Sequence, residues 1–260
     1  MWLVADDDTQ IYILGAMHAL PRGPDWDGGK VAAAIGTADE LVMELSPDEL
    51  AKAGAVFQSL APRTAPLAME KRLPAPALAS YRALEASGGD FGGDTLDDWA
   101  VMVLMGQRVA QNAELDSSDG VETRLTEQFK DAGKPIGGLE TAREQLMLFE
   151  MLDPATQRTL LTRAAEKSGE AVKDVGALTA AWGRSDVATL EKVINEDVDV
   201  VPAARKAIIT DRNRRWSAWV QRRLAQPGTV LMAVGAGHLV GTDGLPAMLE
   251  AEGSKVTRVQ

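Results

Sequence analysis

Only two histidines occur in the 260 residues, and both stand in the same local setting. Ile11-Tyr-Ile-Leu-Gly-Ala-Met-His18 and Leu231-Met-Ala-Val-Gly-Ala-Gly-His238 each read as an apolar run followed by GxxH. With 24 glycines in the chain, composition alone would put glycine three positions before both histidines in only about 1% of cases, so the pairing is informative. Imidazole is the commonest neutral metal ligand and the usual general base; two of them converging with a carboxylate suit either a divalent ion or acid–base work. The carboxylate candidates are Glu44, ending Leu41-Val-Met-Glu, and Glu140, ending Pro135-Ile-Gly-Gly-Leu-Glu.

Those four residues need elements that bring them to one edge. Trp2 to Ala5 and Gln10 to Leu14 are β-rich runs around Asp6-Asp7-Asp8-Thr9, a hairpin pattern. A Pro/Gly-rich connection, Pro21 to Gly29, leads to a predicted helix over Lys30 to Ala38 and a strand over Glu40 to Leu45. That order is a crossover unit, predicting the Gln10 and Leu41 strands as parallel neighbours. Further strands are predicted at Lys134 to Glu140, Thr229 to Val234 and Lys255 to Val259. Ligands of open α/β sheets bind at the carboxyl ends of the strands, where both GxxH turns would deliver their imidazoles. The expected fold is α/β, a central mixed, mostly parallel sheet with flanking helices. It is read as one domain over 1–260 with helical insertions at about 46–130 and 141–226.

Within the insertions, Asp94 to Val109 reads as a helix capped by Thr95, Val121 to Asp131 as an amphipathic helix stopped at Gly133, and Arg205 to Arg223 as a basic helix. Trp99, Trp216 and Trp219 lie on apolar helical faces and read as packing, as do the methionines at 43, 69, 102, 105, 147, 151, 232 and 248. Trp26, in the loop beyond His18, is expected near a substrate cleft.

Composition removes several function classes. The balance of 27 basic and 38 acidic residues, net −11, argues against nucleic acid as a partner. The absence of cysteine excludes disulfides, thiolate metal sites and a cysteine nucleophile. No apolar run approaches the roughly 18 residues of a membrane span. Gly88-Gly-Asp-Phe-Gly-Gly lacks the Lys-Ser/Thr of a phosphate-binding loop, the triple aspartate lacks EF-hand spacing, and no GxSxG elbow marks a serine esterase.

The ordered set of segments resembles the TraB/GumN family, which includes the Tiki metalloproteases and belongs to a wider group with erythromycin esterase and haem-binding ChaN-like proteins. The resemblance covers nearly the whole chain. It is carried by Ile11 to Pro21, the Glu44 strand, Gly120-Val-Glu-Thr-Arg, Gly133 to Thr141 with Glu144-Gln145, Arg212-Asn213 with Trp216, and Val234 to Leu245. It implies a metal-dependent hydrolase of peptide or protein substrates, with Mn or Co as the divalent ion and Zn or Fe compatible with the same donors. By position it implies His18 and His238 as the site histidines, Glu44 as the acidic partner and Arg212 as the basic one. The mechanism then expected has His18, His238 and Glu44 as metal ligands and catalytic residues with Arg212, and Asn213, loop residue Trp26 and Glu140 as substrate-binding residues, Glu140 alternatively fixing the turn before the next helix. Bacterial members of this kind carry a secretion leader, which implies a periplasmic or secreted location, a cytoplasmic one being the alternative. The competing function is a non-catalytic haem-, metal- or peptide-binding protein of the same fold.

Overall fold

The computed structural model describes residues 1–23, 26–198 and 201–260. Residues 24 and 25 of the Pro21 to Gly29 connection, and 199 and 200 of the second helical insertion, lie outside the described residues. The strands are β1 (Trp2–Ala5), β2 (Thr9–Ala16), β3 (Glu40–Leu45), β4 (Ile136–Glu140), β5 (Gly228–Gly235) and β6 (Val256–Arg258). They form one sheet in the order β4-β3-β5-β2-β1-β6. β4, β3, β5 and β2 run parallel, and β1 pairs antiparallel with both β2 and β6. The expected mixed, mostly parallel α/β sheet is present.

One neighbour relation differs from expectation: β2 and β3 are not adjacent, because β5 lies between them. The reason is visible in composition. Val230 to Val234 is apolar at every position and wholly buried, which suits a strand covered on both faces and paired on both edges. The end of the chain therefore completes the middle of the sheet, and the two GxxH strands become direct parallel partners, with Gly15 opposite Val234 and Ala16 opposite Gly235.

Alternation along the strands divides the core. Leu14, Ala16, Leu41, Met43, Leu231 and Ala233 face one side, against Val31 and Ala34 of α1 (Gly29–Thr37) and Val121, Leu125 and Phe129 further along the chain. Ile11, Ile13, Val42, Val230, Met232 and Val234 face the other. Between β3 and β4 come α2 (Pro47–Leu60), α3 (Ala75–Ala86), α4 (Asp98–Asn112) and α5 (Val121–Asp131). Between β4 and β5 come α6 (Ala142–Glu150), α7 (Pro154–Lys167), α8 (Ala171–Gly183), α9 (Val187–Val198), α10 (Pro202–Arg205) and α11 (Asp211–Leu224); α12 (Leu245–Ala251) precedes β6. Trp216 and Val220 of α11 and Leu245 and Leu249 of α12 cover the second face of the sheet.

Local chemistry explains several boundaries. α5 matches its predicted span, ending where Gly133 takes φ +65°, which glycine adopts without strain. α4 starts later than predicted, after Asp97, because Thr95 turns its hydroxyl back to the Gly92 carbonyl instead of capping the helix. The basic segment is not one regular helix. Between α10 and α11 it loosens into a π turn over Lys206–Thr210. Trp99 and Trp216 are packed as expected, whereas Met151 is 75% exposed and fills no core, since it caps the end of α6 at the surface.

Candidate active site

The site lies at the carboxyl end of the parallel strands. β2 and β5 end side by side, so the turns after them carry His18 and His238 over the same sheet edge, while β3 brings Glu44 and β4 brings Glu140 from the other side. The glycine of the second turn is the pivot. Gly235 donates its N–H to Glu44 Oε1 at 2.8 Å. A Cβ at Gly235 would lie 3.3 Å from Glu44 Oε1, 3.7 Å from the His238 ring and 3.8 Å from His18 Nε2. Its hydrogen leaves a small cradle bounded by all three side chains.

Arg212, near the start of α11, holds the buried half together. Its Nη2 donates to Glu44 Oε2 at 2.5 Å and to Glu140 Oε2 at 2.8 Å, its Nε to both Glu140 oxygens at 3.1 Å, and its Nη1 to the Ile208 carbonyl at 3.3 Å. The Ile208 carbonyl comes from the π turn; such turns often mark functional positions in helices. Arg212 Nη1 also lies 2.8 Å from His238 Nε2. A guanidinium has no acceptor, so Nε2 must accept there, and Nδ1 carries the proton and donates to Asn213 Oδ1 at 2.8 Å. The Asn213 amide is fixed in turn, because its Nδ2 donates to the His238 and Asp243 carbonyls. Trp216 lies against both groups, 4.4 Å from the His238 ring centre and 4.6 Å from the Arg212 guanidinium carbon. Arg212 is thus buried at the sheet edge rather than on the solvated face of its helix.

These contacts set the ionisation. Burial foremost drives the His238 pKa down, to about 3, so the ring is neutral. Burial alone would raise the Glu44 carboxyl, but the Arg212 charge foremost, with the His18 charge and the Gly235 N–H, outweighs it and holds it well below the usual carboxylate range. For Arg212, burial opposes the charge and the two carboxylates overcome it, raising the pKa.

His18 is the open member, with a side chain 72% exposed. Its Nδ1 is 2.6 Å from Glu122 Oε1, and this hydrogen bond, with the Glu122 charge, pushes the imidazole up to about 9. Glu122 stands in the Gly120-Val-Glu-Thr-Arg segment and carries no role expected from the sequence. The signal was Gly120, where a Cβ would sit 2.2 Å from the His18 carbonyl oxygen. That close approach seats the start of α5 under the first GxxH turn, with Val121 donating its N–H to the Met17 carbonyl, and aims Glu122 at His18. Gln145 was also missed; its amide donates to Glu44 Oε2 at 2.9 Å.

His18, His238, Glu44, Glu140, Arg212 and Asn213 therefore meet in one cluster. Two of them are placed differently from a substrate-binding role. Asn213 is wholly buried and orients His238, and Glu140 is buried in ion pairs with Arg212 and Arg215. Trp26 is outside this hydrogen-bonded cluster, buried beside Trp182 and under Arg124.

The residues suit a divalent cation in chemistry more than in present packing. Glu122 on Nδ1 leaves His18 Nε2 to face a ligand, the second-sphere arrangement common at metal-bound histidines. Against this, Arg212 already takes the His238 Nε2 lone pair and one Glu44 oxygen. Among the described residues no three His, Asp or Glu side chains are grouped to hold an ion as they stand.

Fold and site together define an α/β protein whose polar centre is built on paired strand-end GxxH turns. Residues 1–258 match the model of the TraB/PrgY/gumN family, and the chain belongs to that family. No curated protein and no solved structure matches it. No helix among the described residues is long and apolar enough to cross a membrane.

Proposed function

We propose that the chain is a metal-dependent hydrolase acting on a peptide or protein substrate at the two GxxH turns. The observation that carries this reading is the cradle at Gly235, where exposed His18 Nε2 faces the buried, fully hydrogen-bonded frame of Glu44, His238 and Arg212. A reactive group open to solvent on a rigid, pre-ordered base is what positioning for a carbonyl substrate requires. His18, Glu44 and His238 would hold the divalent ion, Mn or Co by family resemblance. Such an ion supplies Lewis-acid polarisation of a carbonyl and lowers the pKa of water. The chain's own contributions are separate from it. Glu122 fixes which His18 nitrogen faces the substrate, Asn213 fixes the His238 tautomer, and Arg212 provides a permanent positive charge for a developing oxyanion or a substrate carboxylate. A periplasmic or secreted location is proposed with this reading.

Arg212 on His238 Nε2 favours a second reading, a metal-free peptide-binding protein of the same fold. Elemental analysis of protein purified without chelator, beside a His18→Ala/His238→Ala double variant, separates the two. A near-stoichiometric ion lost in the variant, with peptide cleavage abolished by chelator, is the expected result. A wild-type protein that stays empty after incubation with Mn, Co, Zn or Fe and cleaves nothing overturns the hydrolase.

A further inference from the structure

The second GxxH turn runs into a loop that folds back towards the site. Between His238 and α12 the chain closes a tight turn, in which Gly244 donates its N–H to the Gly241 carbonyl at 3.1 Å. This brings Asp243 against α10 and the π turn. The Asp243 carboxylate accepts from Arg205 Nε at 3.0 Å and Nη2 at 2.5 Å, a bidentate pair, and from Thr210 Oγ1 at 2.7 Å. Arg205 is the residue before the π turn and Thr210 is its last. One carboxylate, with a side chain 19% exposed, thus pins both ends of the irregular stretch.

Both pins bear on the site, because the hydrogen bonds close a circuit. Asp243 holds Thr210, and the same π turn supplies the Ile208 carbonyl to Arg212 Nη1. Arg212 Nη1 meets His238 Nε2, His238 Nδ1 donates to Asn213 Oδ1, and Asn213 Nδ2 returns to the Asp243 carbonyl at 2.8 Å. A neutral imidazole carries its proton on either nitrogen, and its neighbours decide which. Asn213 selects Nδ1 only while its amide keeps its oxygen towards the ring. The His238 and Asp243 carbonyls on Nδ2 enforce that, since a flipped amide would turn its oxygen onto both of them. The selection therefore depends on the Asp243 backbone staying where its side chain anchors it.

We propose that Asp243 is a positioning residue of the site: through Asn213 and the π turn it holds His238 as the Nδ1–H tautomer, with Nε2 towards Arg212. A reactive ring is kept in one orientation by the groups that fix its partners, and Asp243 fixes two of them. The use of that ring in hydrolysis rests on the hydrolase reading; the control of the ring by Asp243 does not.

The test is nitrogen-15 NMR of the imidazoles in the full chain at pH 7 after chelator treatment, with no turnover required. Only two histidines occur, so a His18→Gln variant assigns both rings. Wild type should show His238 as a single Nδ1–H tautomer with a slowly exchanging ring proton. Asp243→Ala should mix the two tautomers and speed exchange of that proton by about ten-fold or more, the effect on local opening of losing a charge-assisted hydrogen bond. Ser217→Ala supplies the control for a merely structural loss. It removes a buried bond of the same helix, to Glu252, outside the circuit, and should leave tautomer and exchange as in wild type while lowering the melting temperature. Should Asp243→Ala fail to fold, Thr210→Val removes one anchor and should speed exchange about three-fold; unchanged exchange there then overturns the proposal. So does a wild-type His238 protonated on Nε2, an Asp243→Ala ring indistinguishable from wild type, or a Ser217→Ala effect as large as that of Asp243→Ala. A chain in which Asp243 controls the tautomer yet no peptide is cleaved keeps this inference and loses the hydrolase, so the two failures are distinguishable.

Discussion

Replacing Arg212 with methionine tests the electrostatic frame of the site. The guanidinium is 4% exposed and is the buried cation facing Glu44 and Glu140, which are 8% and 7% exposed. Methionine keeps much of the volume against Trp216 but leaves two carboxylates without their shared partner. At 4 Å and an effective dielectric of 20, one such pair interacts by about 4 kcal/mol. Breaking a buried pair from one side costs about 3–5 kcal/mol, and Arg215, half-exposed at the rim, reaches only Glu140. For a chain of this size each kcal/mol moves the melting temperature by about 2–4 °C, so Arg212→Met should melt roughly 10 °C below wild type at pH 7. The decisive comparison is the triple variant Arg212→Met/Glu44→Gln/Glu140→Gln, which removes the stranded charges and should recover more than half of the loss. Thermal unfolding by circular dichroism reads both. A drop under 2 °C, or a triple variant no better than the single one, would refute the buried-charge argument.

Three further outcomes follow from the same geometry. The His238 pKa is lowered from 6.5 to about 3 and that of Glu44 from 4.5 to about 2, so in both windows the unfolded chain binds more protons; stability should fall on acidification from pH 6.5 downward, by a few kcal/mol in all, as urea midpoints would show. His18 has the opposite sign: raised from 6.5 to about 9, it favours the fold below 6.5 and loses that effect as pH rises through 9. Glu122→Gln should therefore flatten the alkaline limb and return the His18 titration, followed by NMR of the imidazole, towards 6.5; an unchanged titration would show that Glu122 does not control it. Gly120→Ala puts a methyl 2.2 Å from the His18 carbonyl oxygen, so the turn or α5 must shift, at a cost of about 1–3 kcal/mol, with the His18 titration moving along with the melting temperature.

Elements that report their own periodicity, and residues that chemistry makes conspicuous, are legible along the chain without any knowledge of its partners in space. Two GxxH turns after apolar runs and glutamates ending two other runs were enough to bring His18, His238, Glu44 and Glu140 forward, because strand-end polar residues in an α/β chain converge on one edge, whereas Arg212 and Asn213 came forward only with the family resemblance. α5 was legible to its last residue because its apolar spacing and its glycine stop agree. Tertiary structure decided the rest. Strand order depends on which apolar strand is buried on both faces, which placed β5 between β2 and β3. The roles within the cluster depend on distances between residues far apart in sequence. Arg212 and Glu44 are 168 positions apart, and His18 and Glu122 are 104 apart. No local pattern encodes which carboxylate orients a histidine or which neutralises a guanidinium; these are fixed only when packing brings the partners within hydrogen-bond reach.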